Sequence, residues 1–174
     1  MGLLTEHMQH TVEEQLGFIA TVRPDGTPNL SPKGTTAVWD DDHLIFAHIR
    51  SPGTVANLRV NPNIEINVVD QLSRTGYRFS GVASVHEAGE TFERGVRFYQ
   101  ARGTPQAAER IRAVVIIDVR RVSRLTSPAY DLGATEPELR DIWLDRIVGL
   151  SRAPEAGLET SDATTGYRRR APKP

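Results

Sequence analysis

The chain has no cysteine, which excludes disulfides, zinc–thiolate and iron–sulfur centres and thiol catalysis together. Long apolar runs are also missing. Val114-Val115-Ile116-Ile117 is about the longest such stretch; it is strand-like and far short of the roughly 20 residues that cross a bilayer as a helix. The N-terminus carries Glu6, His7 and His10 without an apolar core, so it does not read as a signal peptide. A cytoplasmic protein is the default expectation. Charge of one sign is not in excess, with 21 Lys and Arg against 22 Asp and Glu and a formal net charge of −1. That balance supplies no general attraction to nucleic acid or an anionic membrane, and neither is expected as a partner. A Gly-rich dinucleotide turn, a Walker loop and an internal repeat are all absent from the sequence, which removes the commonest nucleotide-binding motifs.

What is present is an ordinary globular composition, 39% hydrophobic and 25% charged over 174 residues, enough for one domain with a sizeable core. From residue 151 onward Gly, Thr, Ser, Ala and Pro dominate, and Arg168-Arg169-Arg170 and Lys173 close the chain. The expected organisation is one domain over 1–150 and a flexible, slightly basic tail over 151–174. Thr5 to Gln15 reads as a short capped helix, and Leu16 to Val22 as a buried strand followed by the hairpin turn Arg23-Pro24-Asp25-Gly26. A second strand is expected over Pro28 to Trp39, interrupted by Pro32 and Gly34, then strands over Leu44–His48, Ile64–Val69, Gly76–Val85 and Val114–Val122. Helices are expected from Ser51 to Asn61, over Glu90–Arg102, from Thr104-Pro105, and over Glu136–Leu150. The last has an apolar face of Leu139, Ile142, Trp143, Ile147 and Leu150. Strands joined by hairpins with helices inserted imply a mostly β protein, a six-stranded antiparallel barrel with peripheral helices.

The stretch from Asn29 to Asn61 carries the chemistry. Within it, Arg50-Ser51-Pro52-Gly53-Thr54 has the marks of a helix start built to hold an anion. Ser51 suits the N-cap and Pro52 the first helical position, and the free N–H groups of Gly53 and Thr54 face outward at the positive end of the helix dipole. Gly53 lets a ligand approach the backbone closely. An ordinary capped surface helix satisfies the same residues.

Phe18-Ile19-Ala20-Thr21-Val22 followed by Asp25-Gly26-Thr27-Pro28 resembles the opening hairpin of the pyridoxamine-5′-phosphate-oxidase-like, FMN-binding split-barrel proteins. The resemblance continues through Ser31-Pro32-Lys33-Gly34, Leu44-Ile45-Phe46, Thr54, Asn57-Leu58, Asn61-Pro62 and Tyr77-Arg78-Phe79-Ser80-Gly81-Val82-Ala83, and is nearest to a bacterial flavin-nucleotide-binding subgroup. It implies a split-barrel homodimer with FMN at the subunit interface. It also implies that Ser31, Pro32, Lys33, Gly34, Thr35 and Thr36 lie beside the isoalloxazine and ribityl chain. Ala47 and His48 would then stand close to the cofactor, Gly53 and Thr54 at its phosphate with Asn57 on the same helix, and Tyr77 or Arg78 in place of a family glutamine. The chain departs from true oxidases in having Ser31 where they carry Arg, and Gly53-Thr54 where they carry Arg-Lys. Lys33 and Arg50 are the nearest cations to compensate. Arg124-Leu125-Thr126-Ser127-Pro128 lacks the histidine of the oxidases' terminal segment, which argues against vitamin B6 oxidation.

Residue by residue, the alternatives are open. Lys33 either meets flavin N5, O4 or the phosphate, or is a solvated lysine on an edge strand. His48 is either a cofactor contact or a half-buried structural histidine. Arg78 reaches the flavin or a substrate anion, or pairs with Asp70 or Glu65 at the surface. Trp39, Trp143 and Tyr130 read as packing residues, and Asp40-Asp41-Asp42 as a solvated turn rather than a metal site. The expected function is FMN-dependent redox chemistry on a small molecule, with no Ser–His–Asp set or cysteine to supply an independent nucleophile. The alternatives are a non-catalytic flavin carrier or sensor, and a deazaflavin- or haem-binding protein of the same fold.

Overall fold

The computed structural model describes residues 2–102 and 108–151. Seven strands form one antiparallel sheet: β1 (Gly17–Val22), β2 (Pro28–Lys33), β3 (Ala37–Val38), β4 (His43–His48), β5 (Asn63–Asp70), β6 (Thr75–His86) and β7 (Ala113–Thr126), in the order β2-β1-β5-β6-β7-β4-β3. Four helices surround them: α1 (Glu6–Glu14), α2 (Pro52–Val60), α3 (Gly89–Ala101) and α4 (Glu136–Ser151), with a 3₁₀ turn at Pro128–Tyr130. The helix expected from Thr104-Pro105 and the tail beyond Ser151 lie outside the described residues.

Seven strands replace the six expected because the second one breaks at Gly34-Thr35-Thr36, and its two parts end on opposite edges of the sheet. Three residues reach only about 10–14 Å. The sheet therefore has to curl until its edges nearly meet, giving a half-barrel with a seam between Lys33 and β4. A side chain rather than a ladder bridges that seam: Thr35 Oγ1 accepts from the Ala47 N–H (3.1 Å) and donates to the Ala47 carbonyl (3.2 Å).

Two cores follow from the curl. Ile19, Leu44, Phe46, Ile64, Ile66, Phe79, Val115 and Ile117 fill the barrel, with Val12 of α1 and Leu58 of α2 at its ends. Ile45, Ala47, Val114 and Ile116 point the other way, under Tyr99 of α3. β4 and the first half of β7 are thus covered on both faces, which is why they read as continuous apolar runs.

The remaining strands are one-sided, and β2 is inverted. Its register with β1 places Pro28, Leu30 and Pro32 opposite Val22, Ala20 and Phe18 on the outer face, and Asn29, Ser31 and Lys33 opposite Thr21, Ile19 and Gly17 on the inner one. Apolar residues face outward and polar residues inward, the reverse of a free-standing sheet. α4 shows a related feature. Of its expected apolar face only Leu139 is buried, at 6% exposure, while Ile142 (60%) and Leu150 (68%) stand in the open. The helix docks by its first turns, through Leu139, the Arg140–Asp70 pair and Trp143 under the Arg74 guanidinium.

Candidate functional site

Where the seam meets the start of α2, Ser31, Pro32, Lys33, Gly34, Thr35, Ala47, Ile49, Arg50 and Ser51 line an open cleft of about 270 Å³. The structure thus brings together the expected second-strand residues, the end of β4 and the approach to α2. Ile49 was missed because one apolar residue between His48 and Arg50 carries no chemical signal; half-buried, it supplies an apolar wall.

Lys33 is the unusual member. As the inward residue at the end of an edge strand it is only 7% exposed, and its Nζ donates to the Ser31 hydroxyl. The two side chains share a face because they are two apart on a strand. Among the described residues no carboxylate lies within ion-pair distance of Lys33. Burial without a counter-ion holds its pKa below the ordinary lysine range.

His48 is buried too, and its pKa is pushed down, first by burial and then by the neighbouring charges of Arg112 and Lys33. A neutral ring suits its bonding: Nδ1 accepts from the Ser51 N–H (3.1 Å) and lies 3.3 Å from the Ser51 hydroxyl. With Nδ1 an acceptor, the proton resides on Nε2. Ser51 occupies the expected N-cap position of α2, but its side chain makes no capping bond to the helix. It turns to His48, so the first-turn N–H groups of α2 have no side-chain cap from it. The space where a Gly53 Cβ would project is clear for 4 Å, leaving that backbone open to approach. Gly34 is nearly as open, its closest neighbour there being Leu16 Cδ1 at 4.0 Å.

The other expected residues are placed differently. Thr54 is buried in the first turn of α2. Asn57, also buried, donates from Nδ2 to Thr21 Oγ1 (3.0 Å) and ties α2 to β1. Thr36 closes the 33–36 turn by donating to the Lys33 carbonyl (2.9 Å), and it packs so closely on Gly17 that a Cβ there would lie 2.5 Å from its hydroxyl. Tyr77 and Arg78 are not brought to the cleft within one chain. The Tyr77 hydroxyl meets His7 Nδ1 (2.9 Å), and Arg78 Nε donates to Asn67 Oδ1 (3.0 Å) beside Glu65. The acidic run is used structurally: Asp42 accepts from the Leu3 N–H (2.7 Å), and Asp40 from the Asp42 N–H and the His43 ring.

The family model described as pyridoxamine 5′-phosphate oxidase matches residues 4–125. The chain belongs to that family. Among solved structures it is similar to HupZ of Group A Streptococcus, at 34% identity over 72% of this chain and 96% of that one, with a TM-score of 0.64. Among curated proteins it is 28% identical over 89 residues to the uncharacterized protein MJ0282 of Methanocaldococcus jannaschii, a match covering 50% of this chain and 59% of that protein. The chain therefore spans less than two thirds of that relative. Below 25% identity, where likeness shows the fold alone, it matches an FMN-binding protein from Syntrophomonas wolfei (16%, 70% of this chain and 86% of that one, TM-score 0.58). An F420 reductase (22%, 68% and 98%, 0.54) and HutZ, the heme storage protein of Vibrio cholerae (17%, 72% and 95%, 0.56), share the fold as well. Proteins of this fold thus include binders of FMN, F420 and heme. Among the described residues no helix is long and apolar enough to cross a membrane.

Proposed function

We propose that this protein binds FMN in the cleft between β2 and α2 and uses it for redox chemistry on a small molecule, working as a homodimer. The observation that carries the reading is Lys33: a buried ammonium with no carboxylate beside it among the described residues, in a cleft that also holds Arg50 and ends at the start of α2. An uncompensated buried charge is costly, and an anion that enters beside it relieves that cost. The flavin mononucleotide's phosphate is such an anion, and its ring needs a flat, accessible wall, which the open backbone at Gly34 and Gly53 and the apolar Pro32, Ala47 and Ile49 provide. Bound there, the flavin supplies hydride or electron transfer. The chain's own part is to bind and orient: Lys33 and Arg50 hold negative charge, the Ser51–His48 bond sets the entry to α2, and Thr35 keeps the seam at fixed width.

The inverted polarity of β2 supports the dimer. Its outer apolar face, joined by Phe18, Ala20 and Val22 of β1 and including Leu30 at 67% exposure, suits isologous pairing with a second copy. Sedimentation should show a dimer and Leu30→Glu a monomer; a monomeric wild type with flavin still bound would exclude this assembly.

The test of function is NAD(P)H oxidation by the flavin-loaded protein, with and without electron acceptors. Turnover that rises with an acceptor supports the enzyme. Tight flavin binding without turnover would make the protein a carrier or sensor instead. The visible spectrum of freshly purified protein separates flavin from deazaflavin and haem.

A further inference from the structure

We propose that Lys33 is a carbonyl-capturing amine, forming a reversible imine with small anionic aldehydes whose charge is held by Arg50 and the start of α2. The proposal shares the cleft with the flavin reading but does not rest on it. It starts from which cation the cleft contains. Of the chain's 21 basic residues, Lys33 and Lys173 alone are lysine and the rest are arginine. Anion binding by itself is served at least as well by a guanidinium, which grips phosphate or carboxylate bidentately and is always charged. A lysine adds a primary amine, which becomes nucleophilic when it loses its proton.

The surroundings favour that loss. Lys33 is 7% exposed and, among the described residues, has no carboxylate to stabilise its charged form. Burial lowers its pKa, which enlarges the neutral fraction at physiological pH. The hydroxyl of Ser31 is already hydrogen-bonded to Nζ. In the step, the Nζ lone pair attacks the carbonyl carbon, the new C–N bond replaces the C=O π bond, and the oxygen takes up a proton. The resulting carbinolamine loses water to give the imine, with Ser31 carrying the proton from nitrogen to the departing hydroxyl. Amine and aldehyde become imine and water, and no oxidant is needed.

The test uses the full chain without flavin, glycolaldehyde phosphate as probe, borohydride to trap the imine, and peptide mass mapping. Only Lys33, Lys173 and the N-terminus offer primary amines, so the map is unambiguous. Labelling of Lys33 should be roughly tenfold faster than of Lys173, the effect of one anion contact, and glycolaldehyde without the phosphate should lose that preference. Lys33→Arg should keep the thermal midpoint and carry no cleft adduct, and Ser31→Ala should slow adduct formation without changing its final extent. Labelling of Lys33 no faster than Lys173, or indifferent to the phosphate, would overturn the proposal; an unchanged rate in Ser31→Ala would overturn the role of Ser31. Separate FMN titration distinguishes the two readings. Fast Lys33 labelling with no FMN binding sinks the flavin reading alone, and FMN binding with slow Lys33 labelling sinks this one alone.

Discussion

At the corner between β5 and β6, Arg140 Nη2 donates to Asp70 Oδ2 at 2.6 Å, and Asp70 Oδ1 accepts from the N–H groups of Leu72 (2.9 Å) and Ser73 (3.3 Å). At the seam, Lys33 is buried more deeply, at 7% exposure against 17% for the Asp70 side chain, and among the described residues it meets a serine hydroxyl and no carboxylate. The corner has every charge matched inside the chain and staples α4 to the barrel. The cleft leaves a charge for something outside the chain to match. Burial of an ion is thus informative only together with its partners: matched, the charge is structural, and unmatched, it is what the proposed flavin site rests on.

Several substitutions sharpen this contrast. The largest effect on folding belongs to the corner. Asp70→Ala removes an ionised acceptor of three hydrogen bonds and should cost about 2–3 kcal/mol in denaturant unfolding while leaving FMN affinity unchanged; a stability loss below 0.5 kcal/mol, in the range of an ordinary surface change, would show that the corner is not a staple.

The two regions should also separate by pH. Backbone hydrogen bonds from Leu72 and Ser73, with the charge of Arg140, outweigh the effect of burial and hold Asp70 below its ordinary pKa. Its contribution is therefore present above the unfolded value, about 3.9, and lost as pH falls through the folded one. His48 is likewise held low, by burial, so its contribution is complete above about 6.5 and is lost as pH falls toward the folded value. Thermal midpoints of the flavin-free protein should fall in two acid limbs. His48→Gln should flatten the first and Asp70→Asn the second; a single limb unaffected by His48→Gln would contradict the cleft assignment.

A smaller change is expected from Lys33→Met in the flavin-free protein. Removing an unmatched buried charge should raise stability by about 1 kcal/mol, opposite in sign to the corner. A loss of stability would mean that the ammonium is already matched within the chain. Smallest of all is Arg74→Gly. Arg74 sits at φ 60° and stacks on Trp143 at 4.2 Å. Relief of the left-handed backbone and loss of the stacking are each worth about 1 kcal/mol, so the midpoint should barely move.

Much of the fold was legible from the residues. Apart from the second strand, which breaks after Lys33, and β7, which runs to Thr126 rather than Val122, strand limits fall within a residue of those read from alternation and turn chemistry, and Thr5 caps α1 as its type suggests, accepting from the Met8 N–H (3.4 Å). Four features were not. The break at Gly34 reads locally as a bulge, and only the long-range closure by Thr35 and Ala47 sends β2 and β3 to opposite edges. Lys33 is left open between a cofactor contact and a solvated edge lysine because sequence does not show that the curl buries the inner face of β2. Ser51 reads as a cap because residue type alone does not show that His48, three residues earlier, takes its side chain. The amphipathic pattern of α4 was legible, but not that one chain leaves most of that face uncovered. At the break and at Lys33 a contact distant in sequence overrides a sound local rule, whereas the competitor of Ser51 is only three residues away.

The central claim, that the unmatched charge at the seam is the seat of a flavin phosphate, is tested most directly by calorimetric titration of FMN and riboflavin, which differ only in that anion. Charge-assisted contacts are worth roughly 1.5–3 kcal/mol each. Two of them predict FMN binding on the order of a hundredfold tighter than riboflavin, with the gap narrowing by roughly tenfold in Lys33→Met. Equal affinities for the two ligands in the wild-type protein, or a gap untouched by Lys33→Met, would contradict it.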